Sequence, residues 1–325
     1  MKKTAFTQES HYLETMHDYV TPFWERRQHG FYQGEKATQL HWVSFTSPTH
    51  RKAIMVVNGR IESTHKYQEL FYDLFNQGYD IYSFDHRGQG LSDRLTDNQD
   101  IGHIEDFNDY ILDLNNITQH LITPKDYQDC YLLGHSMGGA IATQYIAAHA
   151  HPYSAVALSA PMHGIIIQPW LKPIAGPISR YLSRWGSQPS YALGQAPYHA
   201  KPFLDNALTT SEIRYQWFRE LYRLKPELQI GGPSNHWVNQ SLKGAKLCVE
   251  QAASCTIPIL LLQGENDRIV DNNAHVAFQK KAPDCQLITI PKAKHELLFE
   301  SDHCRNQALS EILNFFRRHR SSSEI

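Results

Sequence analysis

The chain has 325 residues, 41% of them hydrophobic, which is enough to bury a sizeable core in one large domain or two smaller ones. Its 31 lysines and arginines nearly balance 33 aspartates and glutamates, so the overall charge gives no reason to expect nucleic acid as a partner. The first residues lack the apolar core of a secretory signal, and no run approaches the roughly 20 apolar residues of a transmembrane helix. We therefore expect a cytoplasmic protein that is soluble or at most peripheral on a membrane.

The cysteines and histidines do not indicate a disulfide framework or a metal site. The five cysteines are widely scattered and odd in number, which favours reduced thiols. Among the 19 histidines, the pair His295-Glu296 lacks the second histidine of a zinc-protease helix, and the chain has no Cys-x-x-Cys. We expect neither a metal nor a cofactor.

Seven apolar runs predict strands of one sheet, and most are followed by residues at helical spacing. The runs are 40–45, 52–57, 79–84, 130–133, 155–161, 257–263 and 287–290. Apolar strands that alternate with helices are typical of an α/β fold, with a mostly parallel sheet between two layers of helices. Ahead of them, residues 1–37 predict an N-terminal arm packed on the main body, and residues 309–316 predict a closing amphipathic helix.

The regular alternation stops between residues 162 and 244, which are rich in proline, glycine and aromatic residues. An insertion at this point predicts a lid over the carboxyl ends of the strands, so that the core comprises 38–161 and 245–325. Within the lid, apolar and basic residues between Trp170 and Trp185 have two interpretations. They either pack against the body or contact an anionic bilayer.

The segment Gly134-His135-Ser136-Met137-Gly138 lies between an apolar strand and a helix rich in small residues. This Gly-x-Ser-x-Gly arrangement is typical of a nucleophile elbow, in which a sharp, strained turn presents the serine to substrate. The backbone N–H of Met137 then lies at a helix N-terminus, where it can bind an oxyanion.

Two further candidates for catalysis follow later strands, namely Asp267 and His295. Serine is too weakly acidic to attack an ester unaided, so His295 would accept the proton of Ser136 while Asp267 orients the imidazole. Asp271 is a second candidate for the acid, although its position predicts the start of a helix. The glycine loop after strand 52–57 predicts a second oxyanion donor, the backbone N–H of Arg60.

Other polar segments are interpreted as structural. The loop 85–92 lacks the Lys-Ser/Thr of a P-loop and the third glycine of a dinucleotide fingerprint, so we expect a scaffold loop beside the site. On an elbow, His135 points away from the nucleophile, and His236 belongs to the lid.

Several motifs of the chain resemble the α/β-hydrolase branch that contains monoacylglycerol lipases and bacterial lysophospholipases. They are Asn58-Gly59-Arg60-x-Glu62-Ser63 with Lys66-Tyr67, the loop 85–92, the elbow and Ser159-Ala160-Pro161-Met162. More narrowly, four segments resemble the bacterial inner-membrane lysophospholipases of the L-two type. These are 60–63, 107–110, 231–233 together with 236–238, and 295–296 together with 298–300.

The resemblance implies an α/β-hydrolase fold with an inserted lid and hydrolysis of the acyl ester of a lysophospholipid to a fatty acid and a glycerophosphodiester. It also implies loose attachment to the cytoplasmic face of the membrane. Asn58 stands where many relatives of the lipase branch have histidine. The backbone amide binds the oxyanion, so this departure leaves the mechanism intact and bears on substrate preference.

Alternative functions remain open at this point. A monoacylglycerol lipase, a carboxylesterase or a peptidase would use the same residues, and an acyl-enzyme can also transfer its acyl group to an alcohol. A non-catalytic lipid-binding protein of the same fold is the alternative from another class. An epoxide or haloalkane hydrolase is disfavoured, because its nucleophile would be a carboxylate at the place of Ser136.

Overall fold

The architecture is a twisted sheet between two layers of helices, seen in a computed structural model that describes residues 6–166 and 189–320. Within these residues, eight strands form one sheet in the order β1-β2-β4-β3-β5-β6-β7-β8. The strands are β1 (Gln28–Gln33), β2 (Gln39–Phe45), β3 (Lys52–Val57), β4 (Asp80–Phe84), β5 (Asp129–His135), β6 (Tyr153–Ser159), β7 (Ile259–Gly264) and β8 (Cys285–Ile290). Strand β2 runs antiparallel to β1 and β4, and the other neighbouring pairs are parallel. The predicted α/β class is confirmed.

The helices cover both faces of the sheet. Those of the described residues are α1 (Tyr12–Thr15), α2 (Thr21–Glu25), α3 (Gln68–Asn76), α4 (Asn108–Leu121), α5 (Met137–Ala148), α6 (Glu212–Leu224), α7 (Asn235–Glu250), α8 (Asn272–Gln279) and α9 (Asp302–Arg318), with a π-helical turn, Met16–Val20, between α1 and α2. No described helix is both long enough and apolar enough to cross a membrane.

Two hydrophobic clusters fill the spaces between the sheet and the helices. One joins side chains of α4, α5, α7 and α8 to one face of the sheet, and the other joins α2, α3 and α9 to the opposite face. Strands β4, β5 and β7 are buried along their whole length, as expected for central strands covered on both sides. This double coverage explains why the central strands are recognisable as continuous apolar runs.

The edge strand β1 lies within residues 1–37, where only a packed arm was predicted. Its sequence, QHGFYQ, is mostly exposed and pairs only with β2. An exposed edge strand does not need an apolar face, so hydrophobic periodicity gives no sign of it.

The described part of the predicted lid, residues 189–244, lies against loops that follow the carboxyl ends of strands. Glu296 N–H donates to the carbonyl of Leu208, and Gly102 N–H donates to the carbonyl of Gly232. Helix α7 continues through the predicted lid boundary at residue 244. The apolar and basic stripe predicted between Trp170 and Trp185 lies outside the described residues.

Helix α6 is attached to the core by the buried guanidinium of Arg214 at its first turn. Its Nε donates to Glu69 Oε2 at 3.0 Å, its Nη2 to Asp302 Oδ1 at 2.9 Å and its Nη1 to the carbonyl of Glu300 at 2.8 Å. Burial alone would lower the pKa of Arg214, but the charge of Glu69 and hydrogen bonds to Glu69 and Asp302 raise it. The start of the helix is therefore held by charge-assisted hydrogen bonds to α3 and α9.

Candidate active site

The turn between β5 and α5 places Ser136 in a strained backbone conformation. Its φ is +52° and its ψ is −117°, outside the regions that L-residues ordinarily adopt. The turn is closely packed, because a Cβ atom at Gly138 would lie 2.1 Å from the carbonyl oxygen of Val57. Only glycine fits there, and the turn leaves Ser136 9% exposed. These are the features predicted for a nucleophile elbow.

Ser136, His295 and Asp267 form a continuous hydrogen-bonded array. The Ser136 hydroxyl donates to His295 Nε2 at 2.9 Å, and His295 Nδ1–H donates to Asp267 Oδ2 at 2.7 Å. The other carboxylate oxygen of Asp267 accepts the backbone N–H groups of Ile269 at 2.7 Å and Val270 at 3.1 Å. Burial alone would raise the pKa of Asp267, but the hydrogen bond and charge of His295, with these two amides, lower it. The structure thus brings the three predicted side chains together from loops after β5, β7 and β8.

Asp271, His135 and His236, the other candidates considered from the sequence, lie outside the hydrogen-bonded array. Asp271 caps α8, accepting the N–H of Asn273 at 3.0 Å. His135 Nδ1–H donates to the carbonyl of Ser159 at 3.0 Å, and burial lowers the pKa of His135 to about 4. His236 lies in α7 and donates from Nε2 to the carbonyl of Glu105. The geometry favours Asp267 over Asp271 as the partner of His295.

The two predicted oxyanion donors belong to the residue after Ser136 and to the loop after β3. Met137 is the first residue of α5, so its N–H belongs to the unpaired amides of a helix N-terminus. Arg60 follows Gly59, at which a Cβ atom would lie 3.2 Å from Ser136 Cβ. The loop of Arg60 is therefore in contact with Ser136.

A buried ionic cluster beside this loop was missed by sequence analysis. Glu62 accepts the N–H of Gly59 at 2.5 Å and the hydroxyl of Tyr67 at 2.6 Å on one oxygen, and Lys66 Nζ at 2.8 Å on the other. Lys66 Nζ also donates to Glu296 Oε1 at 2.6 Å. One ammonium group thereby connects the loop of Arg60 to the loop of His295.

The charges in this cluster depend on one another. Burial alone would raise the pKa of Glu62, but the charges of Lys66 and His135 and the hydrogen bonds of Lys66 and Tyr67 lower it to about 2. Burial alone would lower the pKa of Lys66, but Glu296 and Glu62 raise it. For Glu296, burial raises the pKa, and Lys66 opposes that rise. Glu62 and Lys66 thus stabilise each other's charged forms.

The loop 85–92 braces the same region, as predicted for a scaffold loop. Gln89 Nε2 donates to the carbonyls of Gly59 at 2.8 Å and Glu62 at 2.9 Å. Asp85 accepts the N–H of Thr64 at 2.6 Å and that of Leu91 at 2.9 Å. Asn58, which departs from the pattern of the lipase branch, donates from Nδ2 to the carbonyl of Phe84 at 3.0 Å. Its side chain contributes to the packing of the loop.

A cavity of about 360 Å³ opens next to the hydrogen-bonded array. It is lined by residues that adjoin each part of the array, namely Arg60 at the oxyanion loop, Ile269 after Asp267 and Glu296 after His295. Its outer wall comes from the lid region, including Tyr215 and Phe218. In the part of the chain that the structure describes, no group of three or more His, Cys, Asp or Glu residues is arranged to hold a metal ion.

A mostly parallel sheet with an elbow serine, a histidine and an aspartate at the carboxyl ends of its strands defines an α/β hydrolase. The comparisons with known proteins agree with this class. The family model described as serine aminopeptidase, S33, matches residues 48–302, and the chain belongs to this family.

Individual relatives extend over nearly the whole chain. It is 37% identical to lysophospholipase L2 of Escherichia coli (strain K12) over 322 residues, covering 94% of this chain and 92% of that protein. It is 28% identical to monoglyceride lipase of Rattus norvegicus over 280 residues, covering 82% of each. Among solved structures, a soluble variant of monoglyceride lipase from Saccharomyces cerevisiae in complex with a substrate analogue superposes with a TM-score of 0.71 at 19% identity. It covers 91% of this chain and 96% of that one.

Proposed function

We propose that this chain is a lysophospholipase, which hydrolyses the acyl ester of a lysophospholipid to a free fatty acid and a glycerophosphodiester. The hydrogen-bonded array of Ser136, His295 and Asp267 carries the proposed chemistry. The identity of 37% to a lysophospholipase over almost the entire chain supports the substrate class.

In the proposed mechanism, the Ser136 oxygen attacks the ester carbonyl as its proton passes to His295 Nε2, 2.9 Å away. The N–H groups of Met137 and Arg60 stabilise the resulting oxyanion, and each such donor contributes about 3 kcal/mol to lowering the barrier. Asp267 holds the imidazole orientation and stabilises the imidazolium.

The tetrahedral intermediate then collapses. His295 returns the proton to the departing glycerol oxygen, which leaves an acyl group on Ser136. A water molecule, deprotonated by His295, attacks the acyl carbonyl and releases the fatty acid, and the proton returns to Ser136.

A monoacylglycerol lipase is the second candidate, because a rat monoglyceride lipase is 28% identical over 82% of the chain. Both substrates present one acyl ester of glycerol and differ in the phosphodiester headgroup. The candidates therefore share the chemistry of Ser136 and differ only in what the site recognises beyond the ester.

The test is fatty-acid release from lysophosphatidylethanolamine and from monoacylglycerol with the same acyl chain, measured in parallel. We expect a higher kcat/KM for the lysophospholipid and loss of both activities in Ser136→Ala. A preference for monoacylglycerol would replace the proposed substrate and retain the nucleophile.

A second measurement addresses a non-catalytic function. We expect an organophosphonate probe to label Ser136 in the wild-type chain and not in Ser136→Ala. Without labelling or turnover, the chain would be a lipid-binding protein rather than an enzyme.

We also propose that the rim of the cavity rests on an anionic membrane surface. Leu204 is 93% and Leu193 is 69% exposed, and each is a sequence neighbour of a residue that lines the cavity. Lys201, three positions before Leu204, also lines the cavity and carries a positive charge, while Asp205 next to Leu204 is acidic. Exposed leucines and a basic side chain are suited to the interface of an anionic bilayer.

A further inference from the structure

Two arginines that the proposed mechanism leaves without a side-chain role line the cavity beside the nucleophile. They are Arg60, whose backbone N–H alone was assigned, and Arg219 of α6. Each has a buried Nε with no hydrogen-bond partner. An unsatisfied buried donor is costly, so each guanidinium group can gain a hydrogen bond when an acceptor is bound beside it.

Both guanidinium groups are held in place by neutral contacts. Arg60 stacks on Trp237, with its Cζ 4.8 Å from the ring centroid, and its Nη2 donates to the carbonyl of Gly231 at 3.0 Å. Arg219 lies 4.8 Å from the ring centroid of Tyr215 and 4.6 Å from that of Phe218, and its Nη2 donates to the Tyr215 hydroxyl at 2.9 Å. Within residues 6–166 and 189–320, neither forms an ion pair with a carboxylate.

Other arginines in this chain, unlike Arg60 and Arg219, are paired with carboxylates. The guanidinium of Arg87 is neutralised by Asp113, and that of Arg214 by Glu69. Lys66, which also lines the cavity, already forms ion pairs with Glu62 and Glu296. Arg60 and Arg219 therefore carry positive charge that no carboxylate in the described part of the chain neutralises, and each retains an unpaired Nε.

Resting on the proposed function, we infer that this cavity binds the phosphodiester of the lysophospholipid headgroup, with Arg60 and Arg219 donating to its phosphate oxygens. Arginine suits this task because its planar fork of donors matches the geometry of a phosphate. The backbone of Arg60 adjoins Ser136, so a headgroup linked through glycerol to the reacting ester can occupy the cavity. The recognised chemistry is the phosphodiester, whichever alcohol it carries.

The lining of the cavity includes charged residues of both signs as well as apolar ones. Glu62, Lys66 and Asp205 line it together with apolar side chains such as Leu208 and Ile230. A headgroup can form hydrogen bonds with the charged part of this surface, whereas an alkyl chain placed there would displace water without offering hydrogen bonds in return.

The first experiment measures the ratio of kcat/KM for lysophosphatidylethanolamine to kcat/KM for monoacylglycerol with the same acyl chain. We expect Arg60→Gln and Arg219→Gln each to lower this ratio at least tenfold, and Arg219→Lys to restore part of it. The matched control is Arg223→Gln, one turn further along α6, where the arginine pairs with Glu220 away from the cavity. We expect its ratio to stay at the wild-type value.

A ratio is insensitive to the amount of folded enzyme, so partial unfolding does not mimic the effect. Equal losses on both substrates in Arg60→Gln and Arg219→Gln, with an unchanged ratio, would overturn the headgroup site and leave the lysophospholipase proposal standing. If the wild-type enzyme does not cleave lysophosphatidylethanolamine, the proposed function itself fails.

The second experiment uses binding, in order to separate a lipid headgroup from a free phosphate. Calorimetric titration of Ser136→Ala with glycerophosphoethanolamine should show binding that is lost on adding Arg219→Gln. Weaker binding of inorganic phosphate would indicate recognition of the phosphodiester. Tighter binding of inorganic phosphate would identify a site for the free anion and contradict the headgroup assignment, as would the absence of binding by either probe.

Discussion

Asp267 and Asp271, the two aspartates that follow β7, are four positions apart and have different hydrogen-bond partners. Asp267 accepts the imidazole N–H of His295 at 2.7 Å, whereas Asp271 caps α8. An amide in place of the Asp267 carboxylate would favour the wrong tautomer of His295, and we expect Asp267→Asn to lower kcat by about 10⁴-fold. Asparagine caps helices about as well as aspartate, so Asp271→Asn should keep both activity and stability. Steady-state kinetics and thermal unfolding of both variants test this, and similar losses of kcat would refute the assignment.

The three members of the hydrogen-bonded array were predictable because each follows an apolar strand. Ser136, Asp267 and His295 come from loops after β5, β7 and β8, and parallel strands bring such loops to one edge. The bridge from Lys66 to Glu296 was not predictable, since 230 positions separate its ends. The same holds for Arg60 and Arg219, which meet one cavity only after the lid region folds over the sheet.

At the scale of the elements, the elbow depends on backbones packed in direct contact. A Cβ atom at Gly138 would lie 2.1 Å from the carbonyl oxygen of Val57 and 2.4 Å from that of Asn58. Because neither backbone can move without shifting β3, we expect Gly138→Ala to lower the free energy of unfolding by more than about 3 kcal/mol. Chemical denaturation, followed by circular dichroism, measures this loss.

Gly78 provides the control for that variant. Unlike Gly138, it adopts a positive φ, +86°, and a Cβ atom there would meet nothing within 4 Å. Gly78→Ala should therefore cost only the conformational strain, about 1–2 kcal/mol. Equal costs at the two positions would show that the close approach at the elbow does not determine stability.

The strands differ in how far sequence predicts them, for a physical reason. The apolar runs at 52–57 and 257–263 correspond to β3 and β7, which are nearly or completely buried. Strand β1 has neither an apolar run nor an alternation, because it lies at the edge of the sheet and most of its residues are exposed. The lid region was predicted only because the alternation of strands and helices stops there. Its helices α6 and α7 were therefore not predicted.

For the molecule as a whole, the proposed orientation on a membrane depends on Leu193 and Leu204, the exposed leucines next in sequence to residues that line the cavity. We expect the double variant Leu193→Asp/Leu204→Asp to bind vesicles of phosphatidylethanolamine and phosphatidylglycerol at least tenfold more weakly. Each leucine in the interface contributes about 1.5–3 kcal/mol, and aspartate is repelled by anionic lipid. Co-sedimentation with the vesicles measures the change.

The control is Leu224→Asp, at the end of α6 and outside the cavity lining, where the leucine is 64% exposed. We expect vesicle binding of this variant to match the wild type. Equal weakening by all of the substitutions would indicate a general effect of charge, and no weakening by the double variant would refute this orientation.

The attachment of Arg214 limits how the region above the active site can open. Breaking a buried ion pair by separating one partner costs about 3–5 kcal/mol, and Arg214 joins the first turn of α6 to both α3 and α9. Displacing this end of α6 would carry that cost. A rearrangement that widened the cavity would therefore cost less if it moved the far end of the helix while the first turn stayed bound to the core.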